Sequence, residues 1–221
     1  MRLLTTNGLV QPHKRTLPTD RVHGAALSLL LERQQAFGRA LDRLSSQAPV
    51  VDQAAHTMIS CLKAGGKILV AGNGGSAAEA QHFATELVGR FLRERAPYPV
   101  LSLTADTAVI TALANDYGYD SVFARQVCAF GKPGDVFVAF STSGKSRNLI
   151  NAAEVACDHE VKLVAITGGT SNRLAEMADV AICVPAVRTP IIQELHTIVL
   201  HVLCDLIETE LASAEPLERG Q

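Results

Sequence analysis

A doubly wound α/β fold around a five-stranded parallel sheet is the class that three features of this 221-residue sequence predict. From Lys67 onward, short β-branched runs alternate with longer helical stretches, the βαβα order of a parallel sheet. The runs are apolar almost throughout, as strands covered on both faces are. Each run also gives way to Gly, Ser, Thr or Asp, residues that let a chain turn from strand into helix.

The elements follow in order. Leu30, Phe37, Leu41 and Leu44 form one apolar helical stripe, closed by Ser45, Ser46 and Pro49. Val51, Ala54, Ala55, Met58, Ile59 and Leu62 form a second, which Gly65-Gly66 ends because glycine accepts a left-handed cap. The predicted strands are Lys67–Ala71, Pro99–Leu103, Val136–Phe140, Val161–Thr167 and Val180–Val184. A last helix, Thr189 to Ala212, carries Ile192, Leu195, Val199, Val202, Leu203 and Leu206 on a broad apolar arc. With the two N-terminal helices it leaves more apolar surface than one sheet can cover, so a helix bundle between subunits is expected. Residues 1–20 read as a flexible tail, 21–212 as one domain including the N-terminal helices, and 213–221 as a frayed C-terminal tail.

Composition narrows the function. Acidic residues number 22 against 20 basic ones, aromatics are 5% and Trp is absent, which argues against a nucleic-acid binder and favours small-molecule partners. The five cysteines (Cys61, Cys128, Cys157, Cys183, Cys204) are odd in number, far apart and mostly in apolar stretches, so buried free thiols in a reducing compartment are expected. No pair is spaced C-x-x-C. Met1 to Asp20 lacks an apolar signal region and no apolar run approaches the ~20 residues of a membrane span, so a cytoplasmic location is expected.

Two strand-to-helix turns carry candidate chemistry. Gly72-Asn73-Gly74-Gly75-Ser76-Ala77 places backbone N–H groups and a helix N-terminus where an anion can bind. It fits G-x-G-x-x-A, but the nearest acid, Asp106, lies 32 positions beyond Gly74 rather than the ~20 of a dinucleotide fold, which disfavours NAD. In Ser141-Thr142-Ser143-Gly144-Lys145-Ser146 four hydroxyls meet one helix N-terminus, more than an ordinary N-cap uses and well suited to a phosphate monoester. Gly144-Lys145-Ser146 imitates the end of a P-loop, but position 139 is Ala and the loop is too short to cradle a triphosphate.

On the helix after the first turn, His82 and Glu86 lie four apart on one face, a spacing that suits a shared metal, a proton relay or a plain surface hydrogen bond. Gln193, Glu194, His196 and His201 interrupt the last helix. Taken singly, His201 reads as a satisfied core histidine, expected to be buried by its neighbours Leu200 and Val202, and His196 as structural. Asn115-Asp116, before Tyr117-Gly118-Tyr119, reads as a turn or as a pair reaching a sugar hydroxyl.

Taken in order, Gly72-Asn73-Gly74-Gly75-Ser76, Gln81-His82-Phe83-Ala84-x-Glu86, Ala114-Asn115-Asp116, Ser141-Thr142-Ser143-Gly144-x-Ser146 and Ile192-Gln193-Glu194-x-His196 with His201 resemble the phosphoheptose isomerases, sugar-isomerase (SIS) proteins that act on sedoheptulose 7-phosphate. The resemblance spans about Val22 to Glu208. It implies a SIS fold assembled as a homotetramer around a helical bundle, with active sites built from neighbouring subunits. It implies that Asn73, Gly74, Gly75, Ser76, Ser141, Thr142, Ser143 and Ser146 hold the phosphorylated sugar, with Glu86, Asn115, Asp116 and Gln193 beside it. It further implies Glu86 and His201 as the catalytic pair, and His82, Glu86, Gln193 and His201 as ligands of one zinc ion per site.

Two features depart from the family pattern: roughly twenty extra residues precede the first helix, and Ile191 stands where many relatives carry a basic residue. The competing expectation is a non-enzymatic SIS protein similar to the bacterial factor that binds the replication initiator DnaA, a group that lacks the acid and the late histidine found here as Glu86 and His201. A phosphosugar sensor is a third. Neither has a chemical need for a base and an acid in register, so the isomerase is the leading expectation.

Overall fold

All five apolar runs become strands. The structure, a computed structural model, describes residues 24–169 and 171–212; the two expected tails, 1–20 and 213–221, lie outside the described residues. Helix α1 (Ala25–Leu44) leads through a single 3-10 turn into α2 (Ala48–Lys63), and then follow β1 (Ile68–Gly72), α3 (Gly75–Val88), β2 (Val100–Ser102), α4 (Thr107–Tyr117), α5 (Val122–Phe130), β3 (Val136–Ser141), α6 (Arg147–Asp158), β4 (Lys162–Gly168), α7 (Arg173–Met177), β5 (Val180–Val184) and α8 (Thr189–Ala212). The chain divides into a short unit ending at Gln35 and a compact unit from Ala36 onward that holds the whole sheet.

The sheet is parallel throughout, in the order β2-β1-β3-β4-β5. β1 and β3 pair from Ile68↔Val136 to Gly72↔Phe140, so both strands end level with each other. Because side chains alternate across a strand, the sheet feeds two cores. Ile68, Val70, Val136, Val138 and Phe140 face α2, α3 and α8, while Leu69, Ala71, Phe137 and Ala139 face α5 and α6. Burying each large side chain contributes about 1.5–3 kcal/mol, which is why β1 and β3 are apolar at every position before their last turn-forming residue.

α8 is the central helix of the first core. By length and hydropathy it would pass for a membrane span, but half of it is buried in the fold, where it packs on α2 and α3. In the compact unit, α1 gives Ala40 and Leu44 to the core and packs Phe37 partly against it, while Leu41, expected inward, stays at the surface. One other expectation changes. All five cysteines are free, but Cys128 and Cys157 are exposed, because they fall on the outer faces of α5 and α6. Cys61 does behave as a buried thiol, and burial pushes its pKa up to about 11.

Candidate active site

Strand order 2-1-3-4-5 reverses direction between β1 and β3, and in such sheets ligands bind in the crevice at the carboxyl ends of those two strands. Both Gly- and Ser-rich turns emerge there. Asn73 after β1 and Asn148 in the first turn of α6 exchange two side-chain hydrogen bonds, each 2.9 Å, and so tie the two turns together across the crevice. Tyr119 adds its hydroxyl to Asn73 Oδ1 at 2.9 Å. Asn115 and Asp116, which hydrogen-bond each other at 2.8 Å, sit exposed on the last turn of α4, three residues before Tyr119.

The Ser-rich turn is shaped from within. Ser141 is buried and its Oγ accepts from the Gly144 N–H at 3.0 Å, while Ser143 Oγ accepts from the Lys145 N–H. Gly144 is required: its φ is +62°, and a Cβ there would lie 1.7 Å from Asn172 Oδ1. Ser146 is the N-cap of α6, yet its hydroxyl makes no capping bond. The ordinary-cap explanation for this serine therefore fails, and the hydroxyl stands at a helix N-terminus where an anion is favoured.

α3 begins at Gly75 and carries Ser76 buried in its first turn, His82 two turns in and Glu86 one turn further. His82 Nε2 is 3.0 Å from Glu86 Oε1, and His201 Nε2, from α8, is 3.4 Å from His82 Nε2. The three residues' ligand atoms lie within 4.8 Å of one another. Two nitrogens bound to one tetrahedral zinc at ~2.05 Å would sit about 3.3 Å apart, so these three donors fit that ion by spacing and by type. His201 is half-buried rather than buried. Gln193 precedes His201 by eight residues, about 12 Å of helix, and its amide lies so close over Gly75 that a Cβ there would meet Nε2 at 2.0 Å.

Sequence reasoning missed several long-range pairings on α8. His196, buried completely, faces Glu79 Oε2 at 3.4 Å, and Glu79 Oε1 and His196 Nε2 have no hydrogen-bond partner among the described residues. Phe91, after α3, stacks on the His201 ring. Arg95 and Glu208 form a buried ion pair at 3.0 Å. None of these pairings has a local signal, because each joins residues more than a hundred positions apart.

A crevice at the β1/β3 switch point with a hydroxyl-lined helix N-terminus, and a His-Glu-His cluster further along α3, make up the site of a phosphosugar-handling α/β protein. Residues 34–168 match the SIS domain family. The chain is 50% identical to a phosphoheptose isomerase of Rhodospirillum rubrum over 171 residues, 77% of this chain and 91% of that one. It is also similar to solved phosphoheptose isomerases from Francisella tularensis (TM-score 0.80, 40% identity, 83% of this chain and 98% of the other) and Neisseria gonorrhoeae (TM-score 0.77, 40% identity, 85% and 99%). The chain belongs to the phosphoheptose isomerase branch of the SIS-domain family.

Proposed function

We propose that this protein is an aldose–ketose isomerase that converts sedoheptulose 7-phosphate to D-glycero-D-manno-heptose 7-phosphate through an enediol. The observation that carries the reading is the convergence of His82, Glu86 and His201 at the helix that opens from the Gly-rich turn. The phosphate is held by the α6 N-terminus with Thr142, Ser143 and Ser146, on a turn shaped by Ser141, while Asn73 to Ser76, Asn115, Asp116 and Gln193 line the sugar. The Glu86 cluster begins two turns along α3 from Gly75, about 10.5 Å, a span that suits the far end of a seven-carbon chain.

Isomerisation moves one proton from C1 to C2 and one between O2 and O1. Glu86 Oε1 is engaged by His82, and Oε2 is the oxygen that takes the C1 proton and returns it to C2. His201, half-buried and movable only about its two side-chain bonds, passes the proton between O2 and O1 through Nδ1, since Nε2 faces His82 in the cluster. His82, Glu86 and His201 would hold a zinc ion. When bound, zinc supplies a Lewis acid for the carbonyl and the developing enediolate. Gln193 stays on the sugar side of the site within one chain. A homotetramer joined through the apolar faces of α1, α2 and α8, working in the cytoplasm, completes the reading; Leu41, Leu44, Val51, Ile198, Val199 and Val202 line an apolar groove of about 640 Å³ that such packing would fill.

NMR of purified protein with sedoheptulose 7-phosphate tests this. An aldose 7-phosphate should accumulate with the wild type and not with His201→Asn; ligand binding without turnover by the wild type would turn the reading toward a sensor.

A further inference from the structure

The segment that follows α3 is folded around one buried carboxylate. Glu208, completely buried on α8, accepts from the Phe91 N–H at 2.8 Å through Oε1 and from the N–H groups of Leu92 (2.8 Å) and Arg93 (2.9 Å) through Oε2. Arg95 Nε donates to Oε1 at 3.0 Å. The rest of the Arg95 guanidinium is bonded as well: Nη1 donates to the carbonyls of Leu87, Gly89 and Ala96, and Nη2 donates to the carbonyl of Glu86 at 2.9 Å. Successive backbone N–H groups converging on a carboxylate make an anion nest, here filled by the protein's own side chain. Burial alone would raise the Glu208 pKa, but those three N–H bonds and the Arg95 charge outweigh it and hold the carboxyl below its ordinary range.

The nest has a definite output. Glu208 lies seven residues beyond His201, two turns along the same face of α8, and the segment it holds lays the Phe91 ring on the His201 imidazole, with centroids 5.4 Å apart and planes 24° from parallel. His201 also meets His82 edge-on, at 5.0 Å and 82°. The imidazole is thus held by two rings at once. A histidine left free about χ2 would present Nε2 in several directions; this one presents it to His82 Nε2 at 3.4 Å.

We propose that Phe91 is a positioning residue, and that Glu208 and Arg95 are the anchor that places it, so that the His201 Nε2 is held toward His82 and Glu86. This rests on the role given to His201 above, but its test does not depend on that role alone. Phe91→Leu removes the flat face and leaves the anchor in place. Phe91→Tyr keeps the face. Glu208→Gln keeps the shape but sets an amide NH2 against backbone donors, which releases the segment.

The experiment compares these variants and His201→Asn as full-length proteins. It reads kcat and KM for sedoheptulose 7-phosphate, Zn²⁺ affinity of the metal-free protein by calorimetry, and amide hydrogen exchange at residues 91–93. Outer partners of a ligating histidine commonly change affinity or activity by 10–100-fold, so Phe91→Leu is expected to lower kcat and Zn²⁺ affinity each by ~10-fold at nearly constant KM, and Phe91→Tyr to recover most of that loss. Glu208→Gln is expected to give the same losses together with faster exchange at residues 91–93. Wild-type kcat and Zn²⁺ affinity in Phe91→Leu, alongside an inactive His201→Asn, overturn the positioning role. A rise in KM alone also overturns it, because Phe91 would then be a wall for substrate. Wild-type exchange and kcat in Glu208→Gln overturn the anchor. If His201→Asn turns over normally, the catalytic role of His201 falls, and the Zn²⁺ titration still judges the clamp by itself.

Discussion

Glu86→Gln separates catalysis from folding more cleanly than any other change at the site. The amide is the same size as the carboxylate and its oxygen or nitrogen can still meet His82 Nε2, 3.0 Å away. The pair is partly exposed, with side-chain accessibilities of 39% and 22%, so losing its charge should cost folding no more than about 1 kcal/mol. The catalytic cost is of another size. Removing a general base typically lowers a rate 10²–10⁴-fold, about 2.7–5.5 kcal/mol of barrier. The variant should therefore melt within a few degrees of the wild type, bind sugar phosphate with a KM changed less than about threefold, and lose at least ~100-fold in kcat. Initial rates by NMR at saturating Zn²⁺ make the assay, since excess metal compensates for a weakened ligand. A kcat loss below tenfold, or a loss confined to KM, would refute the assignment of the base.

Other changes probe the frame around the site. Ser146→Ala should raise KM about tenfold, the value of one hydrogen bond to a charged phosphate, and leave the melting temperature nearly unchanged because Ser146 caps nothing; a drop of the size an N-cap loss gives, near 1 kcal/mol, would identify it as a plain cap. Gly75→Ala should fold, because the atom its Cβ would strike is the mobile end of Gln193, but it should lower kcat/KM by moving that amide; unchanged kinetics would remove Gln193 from the sugar side. Asp135 has a lowered pKa: burial would raise it, but the Lys67 ammonium and the N–H groups of Lys67 and Lys132 outweigh that. A depressed folded pKa means that the unfolded chain binds the proton first, so the stabilisation is complete above the ordinary carboxylate range and is lost as pH falls below it. Asp135→Asn should thus cost about 2 kcal/mol at pH 7 and flatten the acid limb of a melting-temperature profile, and a profile parallel to the wild type would refute this.

The sheet was legible because parallel strands covered on both faces read as unbroken apolar runs; β1 and β4 are shifted one residue toward the turn-forming glycine, β2 is one residue shorter at each end, β3 runs one residue further to Ser141, and β5 keeps its expected bounds. The Ser-rich turn was legible for the opposite reason, since hydroxyls crowd where one cap would suffice. What escaped was the set of pairings between distant parts of the chain. Glu208 with Arg95, His196 with Glu79, and Phe91 with His201 meet only after α3 and α8 have packed, and no period in the sequence announces them. His201 shows why immediate neighbours mislead: Leu200 and Val202 lie about 100° to either side of it on the helix, so one is buried and the other exposed, and neither decides where His201 points. Leu41 stands outside the core because the stripe of α1 is wider than this chain alone covers.

The most direct test of the central claim is isomerisation of sedoheptulose 7-phosphate in D₂O, followed by NMR. An enediol route predicts an aldose 7-phosphate carrying solvent deuterium at C2, formed by the wild type and lost, at saturating Zn²⁺, in both Glu86→Gln and His201→Asn. Product formed with full retention of the original hydrogen would contradict proton transfer through Glu86, and sugar bound without any turnover would contradict the isomerase itself.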